Sequence, residues 1–320
     1  MKATVFEHSA SLPSLLRGNY FHSKELMELF ESTPRHKPYM VVLTDDNGQE
    51  LAHMLAVQRR RRSWIPPYIY THVRVQGDGV YKDGVNEKMF GMMVSALTER
   101  LQNRVLYMEF SHLSHKMFGY GPLRHAGYFP VRWASIHNSL HSRTPEERIT
   151  PKQMTRVNNA IQRGATTKVV ETEEEFHAFS KLLRHHNWLK PRRFIPHDNL
   201  FRGMMEKEQC KILITKFHEM VIGCSVTVYS DNDAYLLYSA SRRKTFPTLH
   251  PNAVTFWQTI KDAHASGYQH IRFMDVGLPF RKNPYRDFIL SFGGKEVSTY
   301  RWFRISIRWV NALASWLWRE

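Results

Sequence analysis

Residues 250–294 read HPNAVTFWQTIKDAHASGYQHIRFMDVGLPFRKNPYRDFILSFGG. Pro251 suits a first helical turn, where its missing N–H costs nothing, and Gly267 supplies a stop, so the spacing predicts a helix over 251–265. His270 to Val276 then reads as a strand ending on Asp275-Val276-Gly277. A basic, aromatic loop follows at 281–286, and Phe288 and Phe292 before Gly293-Gly294 read as core residues. A helix feeding a strand that ends on a carboxylate belongs to α/β architecture, where ligands gather at the carboxyl ends of strands.

Working outward, the same order of elements occurs twice. Lys211–Lys216 and Met220–Tyr229 read as a hairpin, Ala234–Ser241 as a third strand, and the 251–265 helix and 270–276 strand follow. In the first half, YMVVL at 39–43 and Leu51–Val57 flank a TDDNG turn, which is a hairpin signal. A strand at 68–75, an amphipathic helix at 86–103 and the strand VLYMEF at 105–110 complete the set. VLYMEF pairs by position with IRFMDV at 271–276. The segment 131–140 alternates like a strand, 151–163 reads as a basic helix, and 173–187 as another. The expected fold class is α/β with mixed sheets, in two tandem units at 1–149 and 150–320, a division that suits 320 residues.

Composition narrows the class. Forty-two per cent of residues are apolar, so a globular core is affordable, and 45 Lys+Arg against 29 Asp+Glu leave a net charge of +16. That excess points to anionic partners: nucleic acid, phosphate-bearing substrates or an acidic membrane surface. Two cysteines, Cys210 and Cys224, exclude a disulfide framework and a Cys-rich zinc site. There is no H-E-x-x-H, and His112-x-x-His115 lacks a nearby acidic partner, so no metal is expected. The N-terminal segment has no apolar signal core and no stretch is long enough to span a bilayer, so a cytoplasmic protein is expected.

Several segments together resemble the FemAB-like acyl/aminoacyltransferases, the peptidoglycan-bridge type built from two GNAT (Gcn5-related N-acetyltransferase) folds in tandem. They are Phe21-His22-Ser23, the helix MTRVNNAIQRGA at 154–165, and above all 250–294 with its A-x-x-x-G, D-x-G and aromatic-x-x-Phe-Gly pattern. The resemblance implies two GNAT-like domains and transfer of an acyl or aminoacyl group to an amine or hydroxyl of a cell-envelope precursor or glycan. It implies no tightly bound cofactor, with acyl-CoA or aminoacyl-tRNA as donor. Two departures bear on the donor. Phe288-Ile289 stands where many members have Phe-Lys, which argues against aminoacyl-tRNA. SRRKTFPTLHP at 241–251 lacks the glycines with which simple CoA-binding GNAT loops cradle pyrophosphate.

Acyl transfer needs positioning, a proton acceptor and donors for an oxyanion. Asp275, at a strand's carboxyl end, is the first candidate to orient or deprotonate the acceptor; a loop brace is its alternative. His250, beside a helix start, is the second, against a purely structural role. Anion-binding candidates are Arg242, Arg243 and Lys244 beside the same helix start, Arg281, Lys282, Tyr285 and Arg286 in the following loop, and Arg156, Asn159 and Arg163 on one face of the basic helix. Arg59–Arg62 reads as a charged strand end, with alternate residues facing opposite ways. The C-terminal TYRWFRISIRWVNALASWLWRE places Trp309, Leu313, Trp316 and Leu317 on one helical face. Docking on the protein's own core is the expected fate of that face. An interfacial helix on an anionic membrane is the alternative, with the protein then peripheral on its inner side and the acceptor lipid-linked. Other readings are acyl-CoA-dependent acylation of a sugar or lipid, a basic nucleic-acid-binding protein, and a non-catalytic scaffold. The first reading gives nucleic acid a part only as an aminoacyl-tRNA donor.

Overall fold

The computed structural model describes residues 1–63, 66–188, 194–242, 244–274, 276–280 and 282–318. They form two compact units: Met1–Trp133 with Ser298–Glu320, and Ala134–Val297. The sequence division at 149/150 therefore differs from the contact grouping, chiefly because the C-terminal strand pairs inside the first unit.

In chain order the first unit contains β1 (Lys2–Phe6), α1 (Lys24–Glu31), β2 (His36–Thr44), β3 (Glu50–Arg62), β4 (Ile69–Gln76), β5 (Val80–Tyr81), α2 (Glu87–Leu101), β6 (Tyr107–Ser111) and α3 (Tyr120–His125). Then come β7 (Phe129–Ser139), α4 (Pro145–Arg148), α5 (Pro151–Gln162), β8 (Ala165–Val169), α6 (Glu173–Asn187), α7 (Asp198–Met205), β9 (Cys210–Phe217), β10 (Met220–Ser230), β11 (Asp233–Ser241), α8 (Pro251–Ala265), β12 (His270–Phe273) and α9 (Pro284–Leu290). The chain ends with β13 (Lys295–Ile305) and α10 (Arg308–Leu317).

Strand order runs β1-β2-β3-β4-β6-β13 in the first unit and β8-β9-β10-β11-β12-β7 in the second. The internal repeat is thus carried by topology as well as by element order. In each unit the only parallel neighbours among the described strands, β4 with β6 and β11 with β12, are joined by a crossover helix, α2 or α8. The strand that completes the first sheet, β13, comes from the far end of the chain and runs antiparallel to β6.

Each helix packs an apolar stripe on its own sheet. Phe90, Met93, Val94, Leu97 and Leu101 of α2 are buried with Val73, Val75, Met108 and Phe110. Phe256, Trp257, Ile260 and Ala263 of α8 are buried with Leu236, Ile271, Phe273, Ile289 and Phe292. Local signals set the ends: Ser23 accepts from the Leu26 N–H, Asn86 from Lys88 and Met89, and Thr172 from Glu175. The loop expected at 281–286 ends in α9, because Asn283 caps the Tyr285 N–H and Pro284 takes the first turn.

Gly223 of β10 marks the closest approach of helix to sheet. A Cβ there would stand 2.2 Å from Thr255 Oγ1 and 3.1 Å from the Pro251 carbonyl. Gly223→Ala is expected to cost about 1–3 kcal/mol by overpacking, read as a lowered Tm.

Three histidines of the first unit are held neutral. Burial pulls His22 down to about 3, and its Nδ1 accepts the Leu55 N–H at 3.0 Å. Burial first, then Arg59, Arg61 and Arg74, pulls His72 down to about 3; burial and Arg59 take His36 to about 4. Unfolded histidine titrates near 6.5, so below that pH the unfolded chain takes up protons that the folded chain refuses. Stability is constant above about pH 7 and falls as pH drops through 6.5 toward 4, each histidine adding a slope of about 1.4 kcal/mol per pH unit. His72→Phe keeps the ring stacked on Tyr107 and is expected to flatten the fall in Tm between pH 7.5 and pH 5.

Candidate active site

The second unit's parallel pair is pinned by side chains at one end, and at the other β11 runs on past the last residue pair among the described residues. At the pinned end Asp233, which begins β11, accepts from His270 Nδ1 at 3.0 Å and from Arg272 Nε, both on β12. The ladder then runs Asp233↔His270 to Leu236↔Phe273 and stops. One further bond, Met274 N–H to the Leu236 carbonyl, measures 3.4 Å. β12 ends at Phe273, while β11 continues to Ser241, paired on its other side with β10.

The cause of the parting lies in β11. Thr227 pairs with Leu236 and Val226 with Tyr238, so Leu237 is an extra, bulged residue. A bulge bends its strand and sharpens its twist, and here it falls where the parallel partner is lost. Leu237, Tyr238 and Ser239 are half-buried.

The amino end of α8 stands at the far end of β11, since that strand leads into it through residues 242–250. Buried hydroxyls fix the helix on the sheet: Thr215 to Thr255 at 2.6 Å, Thr255 to the Pro251 carbonyl at 2.7 Å, Ser225 to Thr259 at 2.8 Å. Lys211 and the Tyr229 hydroxyl hold Asp262. His250 caps the helix in the left-handed region, φ 39°, immediately before proline. That conformation is sparsely populated for a residue with a side chain.

Among the sequence-predicted residues, Arg242, Lys244, His250 and Arg163 come together here. Arg163 reaches the Thr248 carbonyl at 3.5 Å from the end of α5, and the Arg242 Nε is buried without a hydrogen-bond partner among the described residues. Lys244 is exposed and His250 half-buried. Arg156 lies two turns back, bonded to Gln153 Oε1 at 3.1 Å, and Asn159 faces solvent. Lys282 is exposed, whereas Tyr285 packs on Phe256 and Arg286 donates to the carbonyls of Leu278 and Pro279 and pairs with Glu296. Asp275, Arg243 and Arg281 lie outside the described residues. Ile289 is wholly buried in the core, a position that suits an aliphatic side chain.

The first unit's equivalent pair stays closed. β4 and β6 pair to the last residue of each, Gln76↔Ser111, and β3 meets β4 without a register shift. At Glu109, the repeat's counterpart of Asp275, the carboxylate is buried between Arg301 at 3.2 Å and Arg74 at 3.5 Å, and Arg301 stacks over Trp133 at 4.0 Å. The same sheet face carries His72 stacked on Tyr107 at 4.9 Å, with Arg59 and Arg61 half-buried while Arg60 and Arg62 point to solvent. Sequence reading named the alternation of Arg59–Arg62 but not His72, Tyr107, Glu109 or Arg301; the one signal for Glu109 was its positional match to Asp275.

The family model of the acetyltransferase (GNAT) domain matches residues 151–282, from the start of α5 through the parted strands. No curated protein matches the chain in sequence. Among solved structures, FemX is similar at TM-score 0.63 and 11% identity, covering 91% of this chain and 98% of its own. L-PGS from Bacillus licheniformis is similar at TM-score 0.60 and 12% identity, covering 95% and 94%. The C-terminal domain of a protein from Agrobacterium fabrum described as a lysylphosphatidylglycerol synthetase is similar at TM-score 0.60 and 11% identity, covering 93% and 91%. A tandem GNAT protein from the clavulanic acid biosynthesis pathway is also similar in fold, at TM-score 0.53 and 10% identity, covering 89% and 88%. The β11–β12 pair lies within residues 151–282, which match the acetyltransferase (GNAT) domain, and the two units repeat one topology; the chain shares its fold with FemX and with the tandem GNAT protein.

Proposed function

We propose that the second unit takes an activated acyl or aminoacyl donor into the opening between β11 and β12 and passes the group to an amine or hydroxyl of a cell-envelope precursor or glycan. The observation that carries this reading is the parting of the two parallel strands beside the α8 amino end. A helix amino end with Arg163, Arg242 and Lys244 attracts the donor's phosphates. Arginine side chains take the place of the main-chain cradle that the glycine-free loop cannot form. Asp275, from its place after β12, orients or deprotonates the acceptor, and His250 is the second base. The acceptor's nitrogen or oxygen attacks the acyl carbon, the donor's thiolate or alkoxide leaves, and the acceptor's proton passes to the base. The buried Ile289, where the family's aminoacyl-tRNA users carry lysine, favours an acyl thioester over aminoacyl-tRNA. An acceptor of this class, lipid-linked or anionic, places the enzyme in the cytoplasm at the inner face of the membrane.

Thermal-shift screening with acyl-CoA, aminoacyl-tRNA and a UDP-linked muropeptide is expected to show stabilisation by the acyl thioester. No shift with any of the three would sink the reading. Each charge-assisted hydrogen bond contributes about 1.5–3 kcal/mol, so Arg242→Ala and Arg163→Ala are each expected to weaken donor binding at least tenfold by calorimetry, with Tm unchanged. Asp275→Asn is expected to abolish turnover while leaving donor affinity intact; full retained activity removes Asp275 from the mechanism.

A further inference from the structure

The polarity of α10 is the reverse of what a surface helix needs. A helix packed on a globular unit turns its apolar stripe inward and its polar face to water. Here the polar side faces the protein. Asn311 accepts the Ile305 N–H at 2.8 Å and donates to the Gly127 carbonyl at 3.0 Å, and Ser315 accepts from Arg124 at 3.4 Å. The apolar stripe is in solvent: Trp309 is 72% exposed, Leu313 49%, Trp316 60% and Leu317 63%, and no residue of the helix is buried. The expectation that this face docks on the protein's own core is therefore corrected. The core beneath β13 is already filled by Tyr300 and Trp302, and the short connection through Ser306 and Ile307 leaves the polar side against the sheet.

A second feature adjoins the stripe. A pocket of about 330 Å³ opens at the base of the helix, lined by Arg124, Arg304 and Arg308 with Ser306, Asn311 and Ala312 among others, and by no carboxylate among the described residues. Arg304 spends Nε on the Ala126 carbonyl and one terminal nitrogen on Gln102, but its other terminal nitrogen is buried with no hydrogen-bond partner among the described residues. A buried guanidinium N–H without an acceptor is an expensive vacancy that an anionic oxygen fills well. Ala312 belongs both to the pocket wall and to the exposed side of the helix, so cationic pocket and apolar stripe are one continuous surface.

We infer that α10 and this pocket dock on an anionic phospholipid surface, with Trp309, Leu313, Trp316 and Leu317 at the headgroup–acyl boundary and a lipid phosphate between Arg124, Arg304 and Arg308. The charge decides the occupant: rings and leucines rimmed by arginines match a surface that offers an apolar layer beneath a sheet of phosphates. A free phosphate would leave the apolar stripe without a function, and a second copy would set the same arginines against each other. The inference uses no residue of the second unit's opening, so it stands or falls apart from the acyl-transfer reading.

The test is flotation of the full-length protein with vesicles of phosphatidylcholine alone and of phosphatidylcholine with phosphatidylglycerol. Binding is expected only to the second, with at least a tenfold loss of partitioning in Trp309→Ser/Leu313→Ser/Trp316→Ser and, separately, in Arg124→Glu/Arg308→Glu. All mutated positions but Arg124 lie on the exposed helix, so an unchanged Tm is the folding control; Arg308→Glu alone serves if the pair is destabilised. Inorganic phosphate at matched ionic strength is expected not to displace the protein. Wild-type recovery of either variant, no binding by the parent, or displacement by phosphate overturns the inference. So does light scattering that shows a dimer dissolved by the serine variant, which would assign the face to a second copy.

Discussion

Asp233 grips two residues of the neighbouring strand at the closed end of a parallel pair, and the site depends on that grip holding while the other end gives way. A parallel ladder has evenly spaced bonds and no intrinsic reason to part. Two devices separate the strands without losing them. The Asp233–His270–Arg272 cluster pins the start of the pair. Four residues on, the bulge at Leu237 bends β11 while β10 keeps it paired on the far side. The helix that must face the opening is fixed independently, by hydroxyl contacts too short-ranged to tolerate a larger residue at Gly223. Rigid surroundings around a local irregularity are what acyl transfer asks for, because the oxyanion donors must be in place before the charge develops.

The duplication shows what happens when those devices are missing. β4 and β6 share the topology of β11 and β12, yet they pair to their last residues and carry no bulge. The acidic residue in the middle of β6, Glu109, is consumed by Arg74 and Arg301. A buried pair of this kind adds little net stability over apolar packing, but removing one partner strands the other charge at a cost of several kcal/mol. The copies therefore differ where β11 carries one bulged residue and β4 carries none.

Much of this was legible in the sequence, and the divide between what was and was not is physical. Hairpins, α2 and α8 were read correctly because turn chemistry, Pro251, Gly267 and a 3.6-residue apolar period are local signals. The repeat was legible because both halves express the same local order. The bulge was not: AYLLYSAS alternates like any strand, and the extra residue exists only relative to β10. Nor was the pairing of β13 with β6, which joins residues about two hundred positions apart. β8, reading ATTKV, is too short and polar to announce itself. In the segment read as an anion loop, Arg286 braces loop carbonyls and Glu296 from within α9, a partnership set by residues distant in the pattern.

The 45 Lys+Arg divide along the same lines. Some are neutralised by carboxylates, within the fold at Arg74 and Arg301 and nearer the surface at Arg286, Arg184 and Arg202. Paired charges of that kind project little field. Among the cations with no ion pair among the described residues are Arg163, Arg242 and Lys244 near the amino end of α8 and Arg124, Arg304 and Arg308 at the base of α10. At the second, the cost of leaving two tryptophans and two leucines in water rules out a purely stabilising role for the helix, since burying them inward would have contributed about 1.5–3 kcal/mol per side chain. A sequence that forgoes that gain and turns Asn311 and Ser315 inward is shaped by something outside the unit. The arginines beside the stripe define its chemistry as anionic.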